Sequence, residues 1–485
     1  MRAEMYFLSQ LIIILTIANI ITAVAAIIME RRNPAVSIAW VMVIFMLPVA
    51  GIILFFLLSQ NISARKLYRL SEFEEQKIDS SLKNQIKEIK EGTYSFAAKE
   101  GRLWQDMIHL NQLYGRAYYS QNNKVDILTD GLQMFDALYN DIKNARETIN
   151  VMFFIVKNDE TGRQFIDLLT QKAREGVEVR LLLDSMGSRQ INDKVLADFI
   201  AAGGKRAYFF PRKLNLVNLD FNYRNHRKLT VIDGRIGYIG GFNVAREYLG
   251  RKKKFGYWRD THIRLTGQSV QDINARFILD WRAASKENIV LSEAYYSNII
   301  SEGNTGIQIV SSGPDSVKEE VKRSLMKMIT SAERNIYIQT PYFVPDASIL
   351  ESLKMAAQCG VDVRVMIPCR PDHPFVYWAT YAYAGELVKS GGRVFIYENG
   401  FLHTKTMAVD GEVATVGSAN FDRRSFSLNF ESNAFIYDKD ETCKMESIFL
   451  KDMDECRELT AELYNNRNRI IKIKEVAARL IADLL

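Results

Sequence analysis

The chain carries one nine-residue pattern twice, HRKLTVIDG at residues 226–234 and HTKTMAVDG at residues 403–411. Each copy continues into a short segment that ends in Asn, GGFN at 240–243 and GSAN at 417–420. In both copies Lys follows His by two residues, Asp follows Lys by five, and Asn follows Asp by ten. A single His-x-Lys carries no information, but two copies with every interval equal predict two similar half-sites on similar scaffolds.

The spacing also predicts local structure. Residues 226–232 end in apolar, β-branched positions, and Asp233-Gly234 is a strong signal for a two-residue hairpin turn. Residues two apart on a strand share a face, so His226 and Lys228 are expected to point the same way, as are His403 and Lys405. The glycine-containing segments before the asparagines allow backbone to approach a ligand closely.

The side chains of the two patterns suit one chemical task, the cleavage of a phosphodiester without metal. Imidazole has a free pKa of about 6.5 and can act as nucleophile or as acid, depending on its proton. Two lysines can neutralise the non-bridging oxygens, and two carboxamides can donate hydrogen bonds to them.

The doubled pattern resembles the signature of the phospholipase D superfamily, and the resemblance covers nearly all of the chain after the N-terminus. Further segments resemble the bacterial cardiolipin synthases of that superfamily. These segments are YWRDTH at 257–262, PCRPDHP at 368–374 and NFDRRSFSLNFE at 420–431.

The resemblance implies the roles of the patterned residues. His226 would be the nucleophile that forms a phosphohistidine, and His403 the general acid and base. Lys228, Lys405, Asn243 and Asn420 would bind phosphate oxygens. The motif also places Asp233 and Asp410 with the catalytic residues, although Asp before Gly is ordinary turn chemistry and favours a structural role for both.

Each imidazole needs a carboxylate that fixes its tautomer. By their positions after the two patterns, Asp260 in the first half and Glu431 in the second are the candidates. The alternative is that Asp260 pairs with an arginine in the core and that Glu431 pairs with Arg423 or Arg424.

Composition limits the other possibilities. The chain has 485 residues, enough for two or three domains, and its net charge of +6 predicts no large nucleic-acid surface. Its four cysteines show no metal-ligand or redox spacing, and its five histidines leave little material for a metal site, so neither metal nor cofactor is expected.

The N-terminal residues 5–29 and 33–64 carry no charged side chain. Each run exceeds the ~20 apolar residues that span a bilayer as a helix, so residues 1–64 are predicted to form two transmembrane helices. A buried helical hairpin and a cleaved signal peptide are the alternatives. The positions of the flanking cations predict that the rest of the chain lies on the cytoplasmic side of the cell membrane.

The rest of the chain reads as a connector followed by a duplication. Residues 65–120 are predicted to be partly helical, with aromatic side chains that either meet the bilayer or pack on the catalytic body. Residues 121–300 and 301–485 each alternate strands and helices, which predicts an α/β class with mixed sheets flanked by helices. The resemblance implies that the two domains face each other and form one active site.

Several isolated features stay open. The basic run 251–254 either holds anionic lipid headgroups or is a solvated loop. His262 and His373 either line the pocket for the second substrate or are structural. The apolar and basic residues 470–485 favour a docked helix over a membrane-surface helix.

The expected function is a membrane-bound phosphatidyltransferase that condenses two phosphatidylglycerol molecules to cardiolipin and glycerol. The expected partners are phosphatidylglycerol and membrane lipids, without nucleic acid, and the sequence does not indicate an oligomeric state. A phospholipase D hydrolase or a transferase to another alcohol would use the same residues. A non-enzymatic membrane scaffold would tolerate the loss of motif residues, and both sets are intact.

Overall fold

The computed structural model describes residues 2–29, 34–58, 67–68, 70–210, 222–287, 289, 303–372 and 374–482. The N-terminal region forms three helices that pack against one another: α1 (Arg2–Met29), α2 (Pro34–Met46) and α3 (Pro48–Leu58). His373 and the cations that flank the apolar runs (Arg31, Arg32, Arg65, Lys66 and Arg69) lie outside the described residues.

The prediction of two transmembrane helices in residues 1–64 is wrong. Within the described part of the chain, no helix combines the length and the apolar character that crossing a bilayer requires. The second apolar run is interrupted at Leu47, because the proline that follows it begins a new helix. The resulting helices α2 and α3 have 13 and 11 residues. Helices of these lengths extend about 20 Å and about 17 Å, short of the ~30 Å hydrocarbon layer.

The connector forms α4 (Glu72–Lys90), α5 (Lys99–Leu103) and α6 (Gln105–Gly115). A capping box of Ser71 and Glu74 fixes the start of α4. Four aromatic side chains of this region pack on the catalytic body: Trp104 and Tyr119 belong to the core of the second half, and Tyr94 and Phe96 lie against it. For these four residues the structure selects packing on the catalytic body, whereas Tyr114 is 37% exposed.

The first half consists of one mixed sheet with helices. Its elements are β1 (Ser120–Asp130), α7 (Gly131–Asn144), β2 (Thr148–Phe153), α8 (Glu160–Arg174), β3 (Glu178–Asp184), α9 (Ala197–Ala201), β4 (Lys205–Phe209), β5 (Arg224–Asn225), β6 (Leu229–Ile232), β7 (Ile236–Gly240), β8 (Trp258–Gly267) and α10 (Ser269–Ser285). The strand order is β4-β3-β2-β6-β7-β8-β1, in which β2, β3 and β4 are parallel and the other neighbours antiparallel.

The second half repeats this plan. Its elements are β9 (Thr305–Ser312), α11 (Glu320–Ser331), β10 (Asn335–Gln339), β11 (Phe343–Val344), α12 (Ala347–Gln358), β12 (Asp362–Pro368), α13 (Pro374–Lys389), β13 (Arg393–Tyr397), β14 (Phe401–Leu402), β15 (Thr406–Val409), β16 (Val413–Gly417), β17 (Phe421–Asp422), α14 (Arg423–Ser427), β18 (Asn429–Tyr437), α15 (Lys439–Met453), β19 (Cys456–Glu458), α16 (Ala461–Asn465) and α17 (Arg469–Ala482). The strand order is β19-β13-β12-β10-β15-β16-β18-β9, with β10, β12 and β13 parallel.

The halves are joined through strands and through a shared core. Strand β1 pairs antiparallel with β9, β5 pairs parallel with β18, and β14 pairs parallel with β8. An apolar cluster takes residues from both sheets, among them Leu229 and Ile239 from the first half and Val416 and Ile436 from the second. This packing holds the two repeats in one fixed arrangement.

Candidate active site

The two motif histidines lie at the junction of the halves. His226 follows β5 directly, and its backbone N–H donates to the carbonyl of Phe430 at 2.9 Å. His403 follows β14, and its backbone N–H donates to the carbonyl of Arg259 at 2.7 Å. Each histidine is therefore fixed to a strand of the opposite half. In both cases the residue that accepts the hydrogen bond is followed directly by a carboxylate residue, Glu431 or Asp260.

His226 is held by Glu431. Its Nδ1 lies 3.0 Å and 3.1 Å from the two carboxylate oxygens of Glu431, and 3.1 Å from the carbonyl oxygen of Ser418. All three neighbours are acceptors, so Nδ1 carries the ring hydrogen and Nε2 keeps its lone pair. The ring also packs edge-on against Phe154 at 5.0 Å between centroids. Burial lowers the pKa of His226, although Glu431 opposes the change.

His403 is held by Asp260 in the same way. Its Nδ1 lies 2.6 Å from a carboxylate oxygen of Asp260, and its ring centroid is 5.2 Å from that of Trp258. Burial, together with the ammonium of Lys405, lowers the pKa of His403 to about 4. The ring is therefore neutral near pH 7, and a bound phosphodiester anion would raise its proton affinity.

The histidine–carboxylate pairs are crossed between the halves. Asp260 and Glu431 occupy matching positions in the two halves, on the strands that pair with β7 and β16. Gly240 pairs with His262 and Gly417 with Asn433, so both carboxylates come two residues before these partners. Neither carboxylate pairs with an arginine side chain among the described contacts.

The two carboxylates stay ionised in the interior. Burial by itself raises the pKa of Asp260, but Lys405 and His403 outweigh it and the pKa is lowered overall. Burial likewise raises the pKa of Glu431, and His226 and Lys228 bring it below its usual value. Negative charge is therefore maintained behind each imidazole.

The two motif lysines are buried and close to the histidines. The ammonium of Lys228 donates to the carbonyl of His226 at 2.5 Å and lies 5.6 Å from the ring centre of Phe154. The ammonium of Lys405 donates to the carbonyl of His403 and lies 3.0 Å from its Nδ1. Burial lowers the pKa of Lys228 to about 7 and that of Lys405 to about 8. A nearby anion would stabilise the charged form of both lysines and raise their pKa values.

The two asparagines are engaged differently. Asn243 accepts from the backbone N–H of Ile155 at 3.0 Å and donates to the hydroxyl of Tyr248 at 2.8 Å. Asn420 donates to Asp422 at 3.3 Å, and its buried side-chain oxygen has no partner among the described residues. A role in phosphate binding stays a prediction for both.

Asp233 and Asp410 lie away from the histidines, in the hairpin turns. Their φ angles are +52° and +56°, and each precedes a glycine with φ of +63°, as a two-residue Asp-Gly turn requires. The carboxylate of Asp233 accepts from three consecutive backbone N–H groups at the start of β2, at 2.8–2.9 Å. That of Asp410 does the same at the start of β10, at 2.7–2.8 Å. These contacts support a structural role, and the catalytic role that the motif implies for either residue stays a prediction.

The structure adds residues that the sequence does not single out. The Ser418 hydroxyl donates to Glu431, whereas its counterpart Gly241 has no side chain. Arg227, between the two motif residues, forms a buried ion pair with Asp280 at 2.8 Å, and Tyr68 of the connector donates to the same carboxylate at 2.7 Å. Ser418 stands inside the second motif, but no local signal in the sequence reveals its contact.

The duplicated sheet and the two facing histidine–lysine sets define a protein of the phospholipase D superfamily. A family model described as "Cardiolipin synthase, PLD-like domain" matches residues 138–281 and 325–453, and one described as "Phospholipase_D-nuclease N-terminal" matches residues 14–60. The chain belongs to the cardiolipin synthase family, whose members are phospholipid phosphatidyltransferases with PLD-like domains.

Individual relatives agree with this assignment. The chain is 45% identical to a cardiolipin synthase of Listeria monocytogenes serotype 4a (strain HCC23), over 99% of this chain and 100% of the relative. It is 46% identical to the major cardiolipin synthase of Bacillus subtilis (strain 168), over 98% and 99% of the two chains. The crystal structure of phosphatidylserine synthase from Haemophilus influenzae Rd KW20 has the same fold, with a TM-score of 0.59 at 14% identity over 78% of this chain and 98% of that one.

Proposed function

We propose that the enzyme transfers a phosphatidyl group from one phosphatidylglycerol to another, giving cardiolipin and glycerol, with His226 as the covalent carrier. The observation that supports this most strongly is the crossed pair of Nδ1–carboxylate contacts, 3.0 Å at His226 and 2.6 Å at His403. They leave the Nε2 atoms of two imidazoles available for a nucleophile and an acid.

In the first step, the Nε2 lone pair of His226 attacks phosphorus of the first lipid. The bond between phosphorus and the glycerol oxygen breaks, and His403, which takes up a proton when the phosphodiester anion binds, gives its Nε2 proton to that oxygen, so free glycerol leaves. The positive charge that develops on the His226 ring is stabilised by Glu431 behind it.

In the second step, His403 accepts the proton of a terminal hydroxyl of the second lipid. The resulting oxygen attacks phosphorus, the nitrogen–phosphorus bond breaks, and His226 returns to its resting form. One phosphodiester replaces another, so the equilibrium constant depends little on bond energies and glycerol release helps the reaction forward.

The two buried lysines would stabilise the negative charge of the phosphate. The non-bridging oxygens carry a negative charge throughout, and Lys228 and Lys405 would neutralise it from the two halves. We propose that Asn243 and Asn420 complete this cradle through their amide groups.

The lipid substrates imply that the enzyme works at a membrane, and we propose that the N-terminal region attaches it there. The match of residues 14–60 to an N-terminal family model supports this proposal. That the catalytic halves lie on the cytoplasmic side stays a prediction.

The test uses purified enzyme and labelled phosphatidylglycerol with a chelator present. We expect wild type to release cardiolipin and glycerol in equal amounts, His226→Ala to release neither, and His109→Ala, a histidine of the connector helix α6, to match wild type. Phosphatidic acid as the main product would identify a hydrolase instead. Loss of turnover with chelator, restored by a metal, would contradict the mechanism.

A further inference from the structure

The C-terminal helix α17 packs one face against the protein and exposes apolar side chains on another. Its inner face packs against α13 and buries Glu475 and Ala478, each 2% exposed. On the outer face, Ile470, Ile473 and Val476 are 60%, 68% and 62% exposed. These three residues follow one another at intervals of three, so they form one stripe along the helix, called here the outer stripe.

The charges around the outer stripe have one sign. Arg469 and Lys472 are exposed beside it, and the ion pairs found at this helix among the described residues are made by Arg467 with Glu475 and by Arg479 with Glu386. The one carboxylate of the helix, Glu475, faces inward and pairs with Arg467 at 2.6 Å. An apolar stripe with flanking cations matches the surface of a bilayer that contains anionic lipids.

The direction of α17 places its first turn level with the first turn of α13. Lys474 lies 5.1 Å from the ring of Trp378, and Arg479 lies 5.1 Å from that of Tyr383, so α17 runs parallel to α13. The start of α17 is therefore level with the start of α13, where Phe375 is 59% exposed.

The segment just before α13 borders the site. The guanidinium of Arg370 donates to the carbonyl of Lys254 at 3.4 Å, in the basic loop that precedes Trp258. Trp258 in turn packs on His403. The start of α13, next to the start of α17, is therefore linked to His403 through Arg370, the basic loop and Trp258.

A second copy of the chain fits the stripe less well. In a two-fold contact each stripe faces itself, so Arg469 and Lys472 of both copies would come together without carboxylates to pair with them. Anionic lipid supplies the missing negative charge.

We propose that the outer stripe of α17 lies in the interfacial layer of an anionic bilayer and holds the mouth of the active site against the lipid that it uses. The proposal rests on the proposed function, since that function supplies the lipid substrate.

A fluorescent probe at position 473 tests the contact in the full chain. The labelled proteins carry Cys359→Ser, so that the exposed native thiol is removed. The probe is attached to Ile473→Cys or to the control Leu132→Cys on α7, where the leucine is 61% exposed. Each labelled protein is reconstituted into vesicles with or without phosphatidylglycerol. Labelling of the background variant alone is subtracted.

A quencher carried on the lipid chains should suppress the probe at 473 several-fold more than the probe at 132, and more strongly in anionic vesicles. Equal quenching at both positions would overturn the proposal. A probe shielded from water yet insensitive to the lipid-borne quencher would indicate a protein partner, and would also overturn it.

Kinetics separate this proposal from the function on which it rests. Ile470→Gln with Ile473→Gln should raise KM for phosphatidylglycerol in vesicles about tenfold, since the variant loses two apolar side chains that the bilayer would cover. The same double variant should match wild type on monomeric short-chain phosphatidylglycerol. Leu132→Gln with Met355→Gln, which removes two equally exposed apolar side chains elsewhere, should change neither value.

If wild type fails on the short-chain lipid, the proposed function is wrong, while the quenching still reports on the surface. If the double variant keeps wild-type KM on vesicles, the outer stripe does not hold the enzyme to its substrate.

Discussion

Replacement of Lys228 by Met should make the protein much less active and, at the same time, more stable. The ammonium of Lys228 is fully buried, and burial brings its pKa from the ordinary 10.5 to about 7. The folded protein therefore holds this proton less tightly than the unfolded chain does. A methionine of similar length removes the buried charge without emptying the space.

The magnitude follows from the two pKa values. The difference between 10.5 and about 7, at about 1.4 kcal/mol per pH unit, corresponds to about 5 kcal/mol of destabilisation. This value already contains the attraction between Lys228 and Glu431, so the further loss in the variant is the 2.5 Å hydrogen bond to the His226 carbonyl. A hydrogen bond from a charged group contributes about 2–3 kcal/mol, so a net stabilisation of about 2 kcal/mol is expected at pH 6.

The lowered pKa of Lys228 also determines how the stability of the wild-type protein changes with pH. Between pH 7 and 10.5 the unfolded chain binds more protons at this site than the folded protein, so wild-type stability rises with pH. The destabilisation is thus fully present below pH 7 and is lost as the pH approaches 10.5. The advantage of Lys228→Met should shrink over the same range.

Thermal unfolding in detergent between pH 6 and pH 10 measures this effect, with Lys194→Met as an exposed control that should stay close to wild type. Transfer activity should fall about 10²–10³-fold in Lys228→Met, as expected when a charge-stabilising donor is lost. A variant that is less stable than wild type at pH 6, or whose advantage does not depend on pH, would refute the reasoning.

Three further predictions concern the carboxylates and the second lysine. Glu431→Gln and Asp260→Asn should each lower kcat about 10³–10⁴-fold with little change in KM, because the imidazole loses its fixed tautomer and the charge behind it; a loss below tenfold in steady-state assays would contradict the crossed pairs. The KM for phosphatidylglycerol should rise as the pH increases through about 8, because Lys405 loses its proton there and no longer attracts the phosphate; a KM that stays constant from pH 7 to 9.5 would exclude this role. Asp233→Asn and Asp410→Asn should lower stability by about 1–3 kcal/mol, since each carboxylate accepts from three backbone N–H groups, while the surviving folded enzyme keeps kcat within a few-fold of wild type. A catalytic role for these two residues would appear as a large loss of kcat without a change in thermal midpoint.

Much of the site is encoded in local patterns. The Asp-Gly dipeptides predict the hairpin turns, and both turns have the positive φ angles that such dipeptides favour. The equal spacing of the two motifs predicts two similar half-sites, and the strand orders of the halves repeat accordingly. The strands themselves begin one residue after each motif lysine, at Leu229 and Thr406.

The crossing of the histidine–carboxylate pairs could not be predicted. It depends on β5 and β14, two-residue strands that add to β18 and β8 of the opposite half. Pairing of such short segments is set by the packing of the halves, and it leaves no periodicity in the sequence. The contact of Ser418 with Glu431 lies within the second half and follows from the antiparallel pairing of β16 with β18.

The error in the N-terminal region has a different cause. Uncharged length alone predicts two spans, but the position of Pro48 divides the second run into two short helices. Likewise, aromatic residues of the connector resemble a membrane interface by composition. Trp104 instead donates to Glu412 of the second half at 3.1 Å, a long-range contact that composition cannot reveal.

The most direct test of the account is the isolation of the covalent intermediate. Enzyme mixed with phosphatidylglycerol and chelator, then stopped at neutral to alkaline pH within one turnover, should yield a phosphatidyl adduct on the peptide that contains His226. His226→Ala should give no adduct, while His109→Ala should give it in full. An adduct on His403, or steady turnover with no adduct on either histidine, would contradict the proposed mechanism.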